Sequence, residues 1–205
     1  MKIRNKKFIY LISPNKIINK SFYNILDQVL KSKKVKFFQL RIKKKSIEKK
    51  VMIAKKILQI CKKNKVKLII NDDPNLALKV NAHGCHLGQK DMNIFDARKI
   101  LKNKIIGVTC HNSIKLAKIA SSSSANYIAL GAFFKTRTKK ITHKASIKSL
   151  IKIKKLINLP VVAIGGINEK NYKKLLLNNA DFLAISSYIW GNKNFKPYQA
   201  IKKLI

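Results

Sequence analysis

Only eight carboxylates occur in a chain of 205 residues that carries 46 lysines and arginines, so each acid stands out. Three of them, Asp72, Asp73 and Asp91, fall in two polar clusters, Asn71-Asp72-Asp73 and Gln89-Lys90-Asp91, each directly after an apolar run. Other polar clusters occupy the same kind of place. They are Gln39, Arg41 and Lys43; Thr109-Cys110-His111; Thr136-Arg137-Thr138-Lys139-Lys140; Gly165-Gly166; and Ser186-Ser187. These residue types suit phosphorylated ligands. Carboxylates can hold Mg2+, which takes one or two of them together with phosphate oxygens of a substrate. Arginine and lysine meet phosphate oxygens directly. A Gly-Gly pair lets backbone N–H groups approach an anion, and a helix starting behind it adds a favourable dipole.

A repeating unit must bring these clusters together. Eight short apolar runs, 8–13, 35–42, 67–72, 84–89, 105–110, 127–134, 161–166 and 182–189, alternate with longer lysine-studded amphipathic runs. Stretches such as Leu68-Ile69-Ile70 and Val161-Val162-Ala163-Ile164 are apolar on consecutive positions, as strands buried on both faces of a parallel sheet are. Ser46 opens a helical pattern with Ile47, Val51, Ala54, Ile57, Leu58 and Cys61 on one face, and Ser146 opens another with Leu150, Ile151 and Ile153. Asn168 is expected to cap a helix over Tyr172–Leu177. The Ser121-Ser122-Ser123-Ser124 run reads as a helix end and loop. Strict alternation fits a closed barrel or a doubly wound sheet, and eight units favour a single-domain α/β (β/α)8 TIM barrel over 1–205. There is no linker or low-complexity segment. In such a barrel the site lies at the C-terminal ends of the strands, where every polar cluster named above falls.

Neighbouring strands 3 and 4 would lie about 4.8 Å apart, so Asp72 and Asp91 can share one cation. Asp73 precedes Pro74 and is expected to cap the next helix, and Asp91 has a competing role as a cap before a helix over 93–103. Gly165-Gly166 alone could be a tight turn; its place after strand 7, with Ser186-Ser187 after strand 8, favours a phosphate cradle. His83, His86, His111 and His143 share no metal spacing. His86 reads as a packing or orienting residue, His111 as a substrate neighbour and His143 as solvated. Cys61, Cys85 and Cys110 lack a Cys-x-x-Cys spacing and read as free thiols of a reducing compartment. Cys110 has no evident base partner and reads as core. No apolar run reaches about 18 residues, and the run 8–13 is short for a signal peptide, so the cytoplasm is expected.

The net charge of +38 could mark a nucleic-acid surface. Against that, arginine occurs only at positions 4, 41, 98 and 137, and the lysines spread along the whole chain. A surface selected for phosphate and base edges would use arginine's planar fork more often. Compositional drift is the adopted reading, and no nucleic-acid or membrane partner is expected.

Together, in order along nearly the whole chain, several segments resemble the thiamine phosphate synthase and thiazole tautomerase family. They are Phe38-Gln39-Leu40-Arg41-Ile42-Lys43; Ile69-Ile70-Asn71-Asp72; His86-Leu87-Gly88-Gln89-Lys90-Asp91; Gly107-Val108-Thr109; Gly131 with Thr136-Arg137-Thr138-Lys139-Lys140; and Pro160-Val161-Val162-Ala163-Ile164-Gly165-Gly166-Ile167. The resemblance implies condensation of an aminopyrimidine methyl diphosphate with a thiazole phosphate, with loss of pyrophosphate. It implies that Asp72 and Asp91 bind Mg2+ and that Arg41, Lys43, Asn71, Thr109 and Lys139 grip the diphosphate. Gln39 would face the pyrimidine, and Thr136, Thr138, Gly166, Ile185 and Ser186 would hold the thiazole phosphate. No general base or covalent nucleophile is needed. The partners are then two small phosphorylated substrates, and a homo-oligomer is an open option.

The chain departs from the family pattern in places. Ile42 and Lys90 stand where the family usually has Glu, Ala132 stands where Pro follows the strand 6 Gly, and an acid after the Thr-Lys run is missing. Segment 135–145 is long enough to act as a lid. The closest rival reading is the tautomerase, which would need neither the aspartate pair nor the Thr-x-Thr-Lys run. A barrel that binds thiamine phosphate without turnover and a nucleic-acid-binding barrel are the others.

Overall fold

Each apolar run forms a parallel strand, and the strands pair in chain order until β8 meets β1 and closes a barrel. The computed structural model describes residues 8–14, 21–42, 45–136 and 143–204. The strands are β1 (Ile9–Ile12), β2 (Val35–Leu40), β3 (Lys67–Asn71), β4 (Gly84–Leu87), β5 (Ile105–His111), β6 (Tyr127–Gly131), β7 (Val161–Ile164) and β8 (Phe182–Ile185). Around them lie α1 (Ser21–Leu30), α2 (Ile47–Lys63), α3 (Pro74–Lys79), α4 (Ile94–Leu101), α5 (Ile114–Ser122), α6 (Ile147–Leu156), α7 (Tyr172–Leu177), α8 (Ser187–Trp190) and α9 (Pro197–Lys202).

The two-residue period of the strands divides the apolar residues between two cores. Phe38, Leu68 and Ile70 face outward into the layer between strands and helices, with Ala54, Ile57 and Leu58 of α2 in the same cluster. Tyr10, Phe37, Ile69, Tyr127 and Val162 fill the barrel interior. Full burial of such side chains stabilises the fold by about 1.5–3 kcal/mol each, which is why runs apolar on consecutive positions were the strand signal. The interior needs gaps as well as bulk. A Cβ on Gly107 would lie 1.8 Å from Tyr127 Cζ, so glycine in β5 makes room for that ring.

Helix starts follow the polar residues before them. Ser46 caps α2, Asp73 caps α3 by accepting from Leu76 N–H at 2.9 Å, and Ser146 caps α6 in a reciprocal capping box. Asn168 does not cap α7: Asn171 holds that position, and Asn168 instead closes the preceding turn, its N–H donating to Asn171 Oδ1 at 2.9 Å. Most strands end before their apolar runs do, and β6 and β8 fall shortest of them. β8 stops at Ile185 because Ser186 starts helix α8, and β6 stops at Gly131. Beyond Gly131 the chain folds beside the end of β7, with Phe133 N–H donating to Ile164 O at 3.0 Å. At the opposite end of the barrel Arg98 ties α4 to the approaches of β5 and β6. Its guanidinium donates to the carbonyls of Lys102, Lys104 and Ser124 and to Asn126 Oδ1. No helix among the described residues is long and apolar enough to cross a membrane.

Candidate active site

At the exit of β3 the backbone turns sharply. Asp72 has φ +65, and its N–H donates to His86 O at 2.8 Å, which ties the β3 exit to β4. Asp91 is fixed by the β4 exit turn, where Gly88 N–H donates to its Oδ2 at 2.7 Å. Any side chain at Gly88 would press on that carboxylate, since a Cβ would sit 2.8 Å from Oδ2. The helix-capping role open to Asp91 is filled by Asn93, which accepts from Asp96 N–H at 3.0 Å. Asp91 is thereby left for Asp72. The two side chains are in hydrogen-bonding contact, with Arg41 near enough to act on Asp72. Burial first, then contact with Asp91 and its charge, push the Asp72 carboxyl up to about 6, while Arg41 and Asn71 pull it back. Two touching carboxylates, one of them driven toward its protonated form, are the groups in this mouth that a cation would relieve. Among the described residues no group of three or more His, Cys, Asp and Glu could hold a metal ion. Two carboxylates without a third protein ligand are the set Mg2+ accepts when phosphate oxygens complete its shell.

Arg41 follows the last residue of β2, and its backbone is clamped by a residue the sequence did not single out. Buried Ser13 accepts from Arg41 N–H at 3.0 Å and donates back to Arg41 O at 3.3 Å. The carbonyl of Ser13 accepts from Ser186 Oγ at 3.3 Å, and Trp190 Nε1 donates to Ile12 O at 2.6 Å. The end of β1 thus anchors both Arg41 and the loop after β8. Ser186 is the N-cap residue of α8, makes no side-chain cap bond there, and points its hydroxyl at Ser13. Ile185 beside it is buried.

Gly165 and Gly166 have φ +106 and +63, a conformation that suits glycine. They also admit the chain after β6: Phe134 N–H donates to Gly165 O at 3.1 Å, and a Cβ on Gly166 would fall 2.3 Å from Lys135 O. Thr136 follows that segment and so joins the same corner. The turn 168–171 separates the glycine pair from α7, so the helix that begins at this mouth is α8 rather than α7.

Gln39 lies on β2, Asn71 ends β3 and Thr109 lies on β5. Asn71 lies near enough to Asp72 to pull its carboxyl down. Gln39 and Thr109 are the two ends of a buried polar chain through Tyr10, Tyr127 and His86. Tyr10 and Tyr127 lie within apolar runs, and nothing in the sequence singles them out. Their hydroxyls meet at 2.7 Å although the residues are 117 positions apart, and nothing local signals that contact. Burial lowers His86 to about 4 and leaves it neutral. The ring of His111 meets that of exposed His143 at 4.2 Å between centroids, so His143 is not simply solvated. Cys110 is buried and its thiol is pushed up to about 12, as expected of a core residue. Lys43, Thr138 and Lys139, with Arg137 and Lys140, lie outside the described residues.

Fold and site define an enzyme of the (β/α)8 class, with cationic, carboxylate and glycine groups gathered at the C-terminal mouth of the barrel. The profile of the thiamine monophosphate synthase family matches residues 9–189, and the chain belongs to that family of transferases. It is 64% identical over 200 residues to the thiamine-phosphate synthase of Pelagibacter ubique, covering 98% of this chain and 97% of that one. Identity to the thiamine-phosphate synthase of Clostridium tetani is 45% over 159 residues, 77% of this chain and 76% of the relative. Among solved structures, thiamine phosphate pyrophosphorylase from Pyrococcus furiosus superposes with a TM-score of 0.87 at 29% identity, covering 98% of this chain and 95% of that chain.

Proposed function

We propose that the protein is a magnesium-dependent thiamine phosphate synthase. It would join 4-amino-2-methyl-5-hydroxymethylpyrimidine diphosphate to the thiazole phosphate, giving thiamine phosphate and pyrophosphate. One observation carries the reading above others: the Asp72–Asp91 contact beside Arg41 at the barrel mouth. The family membership and the names of the relatives support it.

In the proposed reaction the bond between the pyrimidine methylene and the diphosphate oxygen breaks first, and its electron pair leaves with pyrophosphate. The thiazole nitrogen then supplies the pair for the new carbon–nitrogen bond. Mg2+ held by Asp72 and Asp91 would supply charge neutralisation on the departing pyrophosphate. Arg41 adds a fixed positive charge at the same place, and Asn71 and Thr109 add neutral donors. Lys43 and Lys139 take the same role in this reading. Thr136, Thr138, Gly166, Ile185 and Ser186 would hold the thiazole phosphate, and Gln39 would face the pyrimidine. Holding the two substrates together lowers the entropic part of the barrier. No step calls for a general base, in keeping with the buried, neutral His86 and Cys110. No nucleic-acid or membrane partner enters the reading, which places the enzyme in the cytoplasm.

The test supplies the purified protein with both precursors and measures thiamine phosphate and pyrophosphate. Equal amounts of the two products are expected, and only with a divalent cation. Absence of product with both precursors and Mg2+ sinks the reading. Unchanged turnover in Asp91→Ala sinks the metal assignment alone.

A further inference from the structure

Inside the barrel mouth the polar chain is continuous. Gln39 Nε2 donates to the Tyr10 hydroxyl at 3.2 Å, and the hydroxyls of Tyr10 and Tyr127 lie 2.7 Å apart. The Tyr127 hydroxyl is 2.9 Å from His86 Nδ1, and His86 Nε2 is 2.8 Å from Thr109 Oγ1. Gln39 and His86 are buried, and the His86 ring stacks on Tyr127 at 5.6 Å. Each hydroxyl carries one proton, and so does a neutral imidazole. A buried hydroxyl keeps its proton in a hydrogen bond, so once the first bond is set the chain has a single sense. Gln39 gives to Tyr10, Tyr10 gives to Tyr127, and Tyr127 gives to Nδ1 of His86. His86 must then hold its proton on Nε2 and give it to Thr109. Both ends are fixed as a result. Gln39 turns its amide N–H toward Tyr10 and keeps Oε1 as an acceptor for a ligand. Thr109 accepts from His86 and keeps its own hydroxyl proton as a donor.

We propose that this one-way chain sets the specificity of the pyrimidine half-site, matching Gln39 Oε1 to an exocyclic amino group and the Thr109 hydroxyl to a diphosphate oxygen. Tyr10, Tyr127 and His86 are its positioning residues. The inference rests on the synthase reading. An oxo group in place of the amino group would set two acceptors against each other, leaving both without a donor in a buried place. An anion over Thr109 favours the same sense. The reverse chain would use the Thr109 proton inward and turn lone pairs toward the anion. It would also place the His86 proton on Nδ1, turn the Gln39 amide round and favour the oxo ring.

Two measurements test this. The first needs no variant: 15N-histidine NMR of the unaltered protein, with His86→Gln used only to assign the signal. The Nε2–H tautomer is expected, unchanged between pH 5 and 8. An Nδ1–H tautomer, or an imidazolium in that range, overturns the inference while the synthase reading stands. The second compares kcat/KM for the 4-amino and 4-oxo pyrimidine diphosphates in the wild type and Tyr127→Phe. The preference for the amino substrate is expected to fall roughly tenfold in the variant, the worth of about one buried hydrogen bond, with KM for the thiazole phosphate unmoved. A variant that keeps the full preference overturns the inference. If the wild type makes no product from the amino substrate, the synthase reading itself has failed. If Tyr127→Phe does not fold, the tautomer decides.

Discussion

Acid titration of His86 puts a magnitude on the buried chain. The imidazole makes contacts at both nitrogens, to Tyr127 and Thr109, and burial lowers it from an ordinary 6.5 to about 4. In the unfolded chain it takes a proton near pH 6.5; in the folded barrel it resists protonation until about pH 4. Above pH 6.5 both states hold it neutral and its contribution to stability is complete. As the pH falls from 6.5 to 4 the unfolded state alone gains the proton, and stability is lost. Each pH unit of separation is worth about 1.36 kcal/mol, so the loss reaches about 3 kcal/mol by pH 4. The assay is urea unfolding of the wild type and His86→Gln at pH 7, 6, 5 and 4. Titrating groups common to both proteins cancel in the difference. At pH 7 the variant is less stable by roughly 1–3 kcal/mol, because polar partners in the chain lose their bonds. That deficit should shrink by about 3 kcal/mol as the pH reaches 4. A deficit that stays constant over this range refutes the burial argument and shows an imidazole that protonates freely in the folded state.

Three further outcomes follow from the geometry. If Asp72 and Asp91 hold Mg2+ as proposed, the ion has to displace the proton that Asp72 holds up to about pH 6, so affinity measured by calorimetry should weaken as the pH drops through 6, and Asp91→Asn should weaken it ~100-fold at pH 7.5. Gly107→Ala drives a methyl into the Tyr127 ring; a destabilisation of about 1–3 kcal/mol in urea unfolding is expected, with activity falling further than stability because Tyr127 is displaced. Arg98→Lys leaves most of the acceptors that Arg98 now bonds without a donor, so a loss of about 2 kcal/mol, or roughly 4–8 °C in Tm by calorimetry, should come with unchanged KM values.

Much of this protein was legible in the residue order. Every strand begins at or within a residue of where its apolar run begins, because burial on both faces leaves an unbroken apolar signature. Ser46, Asp73 and Ser146 could be read as caps because capping acts over three residues of chain. Scarcity made Asp72 and Asp91 visible, two of only eight acids in so basic a chain. Arg98 is one of four arginines, and its forked guanidinium bonds to several carbonyls and Asn126 are work that lysine's single ammonium does less well.

Tertiary structure decided the rest. Asp91 had two roles open from sequence, and only the folded β4 exit, with Gly88 donating to it and Asn93 taking the cap, turned it to Asp72. Ser13 looked like a strand end, yet closure of the barrel sets it between Arg41 and Ser186, its neighbours on either side of the seam. Tyr10 and Tyr127 sat unmarked within apolar runs, and His86 read as a packing or orienting residue. Their hydroxyl and ring nitrogens meet only when β1, β4 and β6 point inward at one level of a closed barrel. Local preferences and burial patterns are written along the chain, whereas a contact between residues more than a hundred positions apart exists only after the strands have taken their register and curvature.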